Sequence, residues 1–464
     1  MKRALRLEYF AAIAIALVRL VWCGYRAAHQ SLTIDEAFCF HRFLAGPWSA
    51  IYSQYDASNH VLYSILARLS IQMLGVSEFS LRLPSLIAGF FLMLGIFHVL
   101  RLTTTPLIRW GAFIALSLHP LLLDFSVAAR GYGLSLAFLI WAIGFAIQRR
   151  YALCGMLLGL ALSANLTIAF PAAGLMLAIV LLEDGAWAGR FRSLAVVVAT
   201  AETIFFAICF EAVRTARRDE FYFGYRTIIE SVSDLVRESF HVASRGGLLG
   251  EDKLTPVMVY AILPLITIFM AAALVRGSGD RRSLFPFVTL AGAVVTIVVA
   301  HYAVKLPYPA NRTGLHILVL FGIAWAIAAA RIRSPPWRGI QIALALLMAI
   351  QFATQFHGRY FSIWAFDMRT KEFAQEIKRM SAGKPANSLS VSATWLNQQS
   401  LEFYRELLHI TALKPVRHIE PTEFSGHDFY VLIGDDIDGI DRRPLRIVLS
   451  DSRERLILAV PAGH

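Results

Sequence analysis

Apolar runs near the length of a bilayer crossing alternate along this chain with short basic turns and longer polar segments. The pattern predicts eleven membrane-spanning helices, in two groups by what separates them. The first six cover about Tyr9–Ala28, Arg82–Leu100, Leu107–Leu123, Tyr132–Ile147, Tyr151–Ala164 and Thr167–Leu182, the last two forming a hairpin through Asn165. The other five cover about Ser193–Val213, Pro256–Val275, Leu284–Val304, Gly314–Ala330 and Gly339–Phe356. Basic residues gather in the short turns: Arg101 and Arg109, Arg149 and Arg150, Arg190 and Arg192, Arg276 with Arg281 and Arg282, Arg331 with Arg333 and Arg338. The long segments lie at about 29–80, 119–131, 214–255 and 305–312. Lys and Arg mark cytoplasmic loops, so the N-terminus is expected inside, the long segments outside and the C-terminus outside.

Beyond residue 356 the periodicity changes. Phe366–Met380 and Ser400–Leu408 read as amphipathic helices, and Phe429–Ile433, Leu445–Leu449 and Leu456–Val460 as short strands. The expected fold is therefore a polytopic α-helical membrane domain, 1–356, followed by a small extracytoplasmic α/β domain, 357–464. Trp395, Phe403 and Tyr404 suit either an aromatic platform for an acceptor or that domain's core.

Composition agrees. Of 464 residues 57% are hydrophobic and only 16% charged, against about 25% charged in ordinary soluble domains. The net charge of +12 sits largely in the short turns, where it sets topology, so no nucleic-acid partner is expected. Cys23, Cys154 and Cys209 lie in apolar runs and Cys39 is alone outside, which gives neither a disulfide framework nor metal-ligand spacing. The first span has no small-residue cleavage site and is expected to be retained.

Candidate chemistry lies in the outer segments. Asp35-Glu36 follows the first span, where carboxylates at membrane depth are costly and usually functional; the alternative is that Asp35 caps the segment Glu36–Leu44. His60–Leu74 is amphipathic and too short to span, so it suits the interface plane, with Asn59-His60 at its start as cap or as polar site groups. Arg82 has three readings: carboxylate partner, lipid-phosphate contact or snorkelling side chain. Asp124 and Arg130 either pair with each other or divide, Asp124 joining Asp35 and Arg130 binding phosphate through its guanidinium fork. Lys305–Arg312, stiffened by Pro307 and Pro309, makes a positive rim for a phosphate headgroup, or anchors the interface through Tyr308 and Lys305.

Asp35-Glu36, Asn59-His60 with Tyr63, Ser77-Glu78-Phe79 through Arg82-Leu83-Pro84, His119-Pro120 and Ala129-Arg130-Gly131-Tyr132-Gly133-Leu134 together resemble the GT-C superfamily of membrane glycosyltransferases. The likeness is to the protein O-mannosyltransferase and aminoarabinose-transferase branch, or glycosyltransferase family 39. It covers about residues 7–170, and the later spans by topology alone. Many relatives have Asn-His-Pro where this chain has Asn59-His60-Val61.

The resemblance implies transfer of a sugar from a polyprenyl-phosphate donor to a lipid, glycan or protein acceptor, with inversion, at the outer face of the plasma (inner) membrane. It implies Asp35 as general base with Glu36 orienting it. It implies Asn59, His60, Asp124, Arg130, Tyr132 and Arg312 as substrate-binding residues, the two arginines neutralising the departing phosphate. The lipid-linked sugar is the donor substrate, and a divalent cation is the one candidate cofactor. Asp35, Glu36, Asp124 and His60 carry the hard donors a divalent cation takes, whereas this branch works largely without metal. The rival reading is a lipid or sugar transporter or flippase, with its site at the midplane. Charges within spans are few, Arg19 and Glu202 being the exceptions, and polar groups crowd the outer loops, which favours interfacial chemistry.

Overall fold

The computed structural model describes residues 2–462 apart from 54, 218–219, 221, 241–250, 277–279, 333, 419–425, 435–444 and 453–454. Arg333 and residues 241–250 of the third polar segment thus lie outside the described residues. Helices occupy the expected apolar runs: Lys2–His29, Glu78–Thr103, Pro106–Leu118, Gly131–Ile147, Tyr151–Ala164, Ala169–Leu182, Trp187–Arg214, Leu263–Arg276, Phe285–Val304, Leu315–Arg331 and Pro335–Thr354. Among the described residues seven helical segments can cross a membrane by length and composition, while 106–118, 131–147, 151–164 and 166–182 are shorter.

The third run is not continuous. Pro120 has no N–H and disfavours a helical residue before it, so the helix stops at Leu118 and His119 is extended. A second short helix, Pro120–Asp124, then begins. The break leaves carbonyls without helical partners, and Arg19 meets them. Its guanidinium donates to the Ser117 carbonyl at 3.2 Å, the Leu122 carbonyl at 2.7 Å and the Ser126 hydroxyl at 2.9 Å. This is the way non-helical backbone is tolerated at membrane depth.

The chain divides into two compact units. The first comprises Met1–Gly24, Ile51–Leu66 and Arg82–Phe356, and the second Tyr25–Ala50, Ala67–Leu81 and His357–His464. The second unit therefore recruits two stretches around the first long polar segment in addition to the C-terminal region. In the first unit, Gly155 and Gly159 share one face of Tyr151–Ala164 and pack on Trp187–Arg214. A Cβ at either would lie 2.5 Å from the Val197 or Ala201 carbonyl oxygen. Small residues four apart allow this backbone approach, a common device where lipid offers no hydrophobic drive.

The second unit is built on a five-stranded mixed sheet, β1 Val391–Ala393, β2 Arg417–His418, β3 Phe429–Ile433, β4 Leu445–Asp451 and β5 Leu456–Pro461, in the order β2-β1-β3-β5-β4. β1 runs parallel to β2 and β3, and β5 antiparallel to β3 and β4. Helix Thr370–Met380 buries Phe373, Ala374 and Ile377, and helix Trp395–Leu407 buries Leu401, Phe403 and Tyr404. Phe403 and Tyr404 are thus core residues, Phe403 meeting Phe40 edge-on at 5.1 Å, whereas Trp395 is 60% exposed.

Candidate active site

The acidic pair sits on the short helix Ile34–Cys39 of the second unit. Thr33, not Asp35, caps it: Glu36 N–H donates to Thr33 Oγ1 at 3.3 Å, and Thr33 N–H donates to Glu36 Oε2 at 2.9 Å. This reciprocal box fixes Glu36, which is buried, and leaves Asp35 half-buried in the helix's first turn. A π-helical turn, Phe40–Leu44, follows directly.

The residues before Asp35 are tied to the C-terminal part of the same unit. Ser31 Oγ donates to the Met368 carbonyl at 3.1 Å and accepts from Lys371 N–H at 3.2 Å. Leu32 N–H donates to the Tyr404 hydroxyl at 2.8 Å, and that hydroxyl donates to Glu78 Oε1 at 3.1 Å. Lys371 Nζ pairs with the same Glu78 oxygen at 2.7 Å. Ile34 N–H donates to Asp367 Oδ2 at 2.7 Å. Asp367 Oδ1 accepts from Ser400 at 2.6 Å and from Thr370 and Asn397 at 3.3 Å each. Burial pushes the Asp367 carboxyl up to about 7, against the pull of these four donors.

A basic cluster lies in the first unit. His60 is buried and packs edge-on against Tyr132, centroids 4.8 Å apart. Its ring hydrogen-bonds the Ala164 backbone. Burial first, then the fields of Arg130 and Arg312, hold its imidazole well below the ordinary range, so it is a neutral hydrogen-bonding group beside two cations. Arg130 is buried at the N-cap position of helix Gly131–Ile147, with no capping bond from its side chain. Gly131 is required at this spot: a Cβ there would overlap the Ala164 carbonyl oxygen and lie 2.7 Å from His60 Cβ.

The segment 305–312, which precedes the tenth helical run, holds Arg312. Tyr225 and Tyr308 exchange backbone hydrogen bonds at 2.9 and 2.8 Å. Asn311 N–H donates to Asp234 Oδ2 at 2.6 Å, and Asp234 pairs with Arg237. The Arg312 guanidinium lies over the Phe223 ring, 4.5 Å from its centroid.

No known family model matches the chain, and no curated protein matches it by sequence. Solved structures do match. ArnT from Cupriavidus metallidurans bound to undecaprenyl phosphate is similar at TM-score 0.57 and 15% identity, covering 97% of this chain and 98% of that one. Its apo state is similar at TM-score 0.54 and 14% identity with the same coverage. The fold is ArnT-like. At this identity the likeness carries the architecture alone, a polytopic helical fold with a small mixed sheet.

Within the ArnT-like fold the expected residues fall into separate groups. His60, Tyr132, Arg130 and Arg312 come together in the first unit. Asp124 is buried at the end of helix Pro120–Asp124, its carbonyl accepting from Val127 and Ala128 N–H and turning the chain toward Arg130. The Asn59 amide is engaged locally, donating to the Ile51 carbonyl at 2.9 Å and accepting from Ser64 at 2.9 Å. Asp35 and Glu36 belong to the second unit. Arg82 is fully buried, so it does not snorkel. Glu202 is exposed on helix Trp187–Arg214.

Three residues of the first unit were not anticipated as site groups. Tyr55 has its phenol held up by burial first, then by Glu220, Asp56 and Tyr132. Glu220 is half-buried. Asn165 adjoins Ala164, and while its Oδ1 accepts from Thr167 N–H at 2.9 Å, its buried Nδ2 has no partner among the described residues. An amide in an otherwise apolar hairpin was the available signal for Asn165. Among the described residues no three His, Cys, Asp or Glu side chains stand close enough to hold a metal ion, so no step is derived through one.

Proposed function

We propose that this protein is a membrane glycosyltransferase that moves a sugar from a polyprenyl-phosphate donor to an acceptor hydroxyl, with inversion, at the outer face of the inner membrane. The observation that carries this reading is the packing around buried His60, which meets Tyr132 edge-on and is brought against the Ala164 carbonyl at Gly131, next to Arg130. Guanidinium groups match phosphate oxygens in geometry and stay charged. The ArnT structure of the same fold binds undecaprenyl phosphate. The Arg-rich short turns support the topology that puts the long segments outside.

On this reading the acceptor oxygen attacks the anomeric carbon while the bond from that carbon to the phosphate oxygen breaks. The polyprenyl phosphate leaves with the bonding electrons, and the acceptor proton passes to the Asp35 carboxylate. Arg130 and Arg312 stabilise the charge that grows on the departing phosphate. Neutral His60 supplies a hydrogen bond without adding a third charge, and Tyr132 and Asp124 shape the sugar's surroundings. Glu36, held in the capping box, keeps the helix that presents Asp35.

The test is Asp35→Asn in proteoliposomes with a polyprenyl-phosphate sugar labelled in the sugar. Transfer is expected to fall by about 10²–10⁴-fold, the usual worth of a general base, with membrane insertion unchanged. Undiminished transfer removes Asp35 from the reaction.

A further inference from the structure

Asp367 is the least expected carboxylate in the second unit. It is 1% exposed and, among the described residues, no cation pairs with it. Burying such a group without a counter-charge is costly. It persists here because four donors converge on it, and one of them, the Ile34 N–H, is remote, 333 residues away in sequence. The other three belong to Thr370, Asn397 and Ser400, so Asp367 joins the two C-terminal helices to the residue immediately before Asp35.

The Thr33–Glu36 box orders helix Ile34–Cys39 internally, but a box within four residues cannot set where that helix points. That direction comes from outside: Ser31, Leu32 and Ile34 are each bonded to residues between 367 and 404. Of these bonds, the one from Ile34 is nearest to Asp35, and it is also among the shortest.

We propose that Asp367 is a positioning residue for the Asp35 turn, its carboxylate holding the Ile34 amide and thereby the direction of the acid on the next residue. The proposal rests on Asp35 as the base and deepens that reading. It gives the C-terminal region a part in transfer itself, beyond docking an acceptor.

The bond can be cut from either side. Asp367→Asn keeps the side chain's shape but puts an amide where one of the two accepting oxygens stood. Ile34→Pro removes the N–H, and the backbone tolerates it: Ile34 is the first helical residue, where proline is favoured, and Thr33 before it is extended at φ −85°, ψ 159°. Each variant is expected to lower kcat by about 10- to 100-fold, the scale on which small misplacements of a reacting group act. KM for the lipid donor is expected to stay unchanged. The double variant is expected to be no worse than the weaker single, because both remove the same bond.

Gel-filtration profile and thermal unfolding in detergent report folding separately, and Ile34→Pro keeps the test open if Asp367→Asn folds poorly. A wild-type kcat in well-folded Ile34→Pro, or effects that multiply in the double variant, overturns the proposal. Full transfer by Asp35→Asn instead overturns the assignment of the base, so the two failures are read in different proteins.

Discussion

Replacing Gly131 by alanine tests whether the close approach of His60, Ala164 and Arg130 at the N-cap position organises the basic cluster. The added Cβ would sit 2.7 Å from His60 Cβ and overlap the Ala164 carbonyl oxygen. Restoring ordinary contact at about 3.4 Å moves His60 by roughly 0.7 Å, and the carbonyl, being backbone, resists more. Overpacking of this kind costs typically about 1–3 kcal/mol of stability. A displacement approaching 1 Å at a reacting site costs up to about 10²-fold in rate, so the loss of transfer is expected to exceed what partial unfolding explains. Gly111→Ala is the control, since nothing lies within 4 Å of its Cβ position; it is expected to be neutral or to stabilise its helix by about 0.5–1 kcal/mol. Transfer by each variant, normalised to folded protein from detergent unfolding curves, gives the comparison. Equal transfer and equal stability for the two variants would refute the packing argument.

Two further outcomes are expected. The Asp367 carboxyl titrates at about 7 in the folded protein, against about 3.9 for an unperturbed aspartate. Between those values the unfolded chain binds fewer protons than the folded one, so the stability this group contributes is full below about 4, declines as pH rises toward about 7 and is flat above. Unfolding measured across that range should show the decline, and Asp367→Asn should remove it. Arg19→Leu removes the side-chain donor to the Ser117 carbonyl at the broken third run, while the Leu122 carbonyl keeps its bond from Ser126, and is expected to destabilise by about 1–3 kcal/mol; transfer per folded molecule should hold, and a selective loss of transfer would assign Arg19 a role in the site.

Much of the helical layout was legible because a bilayer fixes the length of an apolar run, and the runs announce themselves. The break at His119-Pro120 was also written plainly, since proline ends a helix, yet the surrounding leucines hid it as one span. Thr33-Ile34-Asp35-Glu36 carries the box signature of Thr followed three places on by Glu, which identifies Thr33 and not Asp35 as cap; reading the acids as a pair obscured this. The three readings of Arg82 stayed open in sequence because charge alone does not reveal burial, which excludes snorkelling. β1 and β2, at three and two residues, are too short for any alternation to show. The contacts of Ser31, Leu32 and Ile34 with residues 367–404 join segments more than 330 positions apart, and no local pattern encodes such a pairing.

That long separation orders events during synthesis. At roughly 5–20 residues per second, a ribosome needs on the order of 20 s to a minute to go from Ile34 to Asp367, 333 residues on. For all that time the acidic turn is made but unanchored, while the helices that follow it are already entering the bilayer. A nascent chain would therefore acquire its membrane helices first and the bond that fixes the Ile34 amide last.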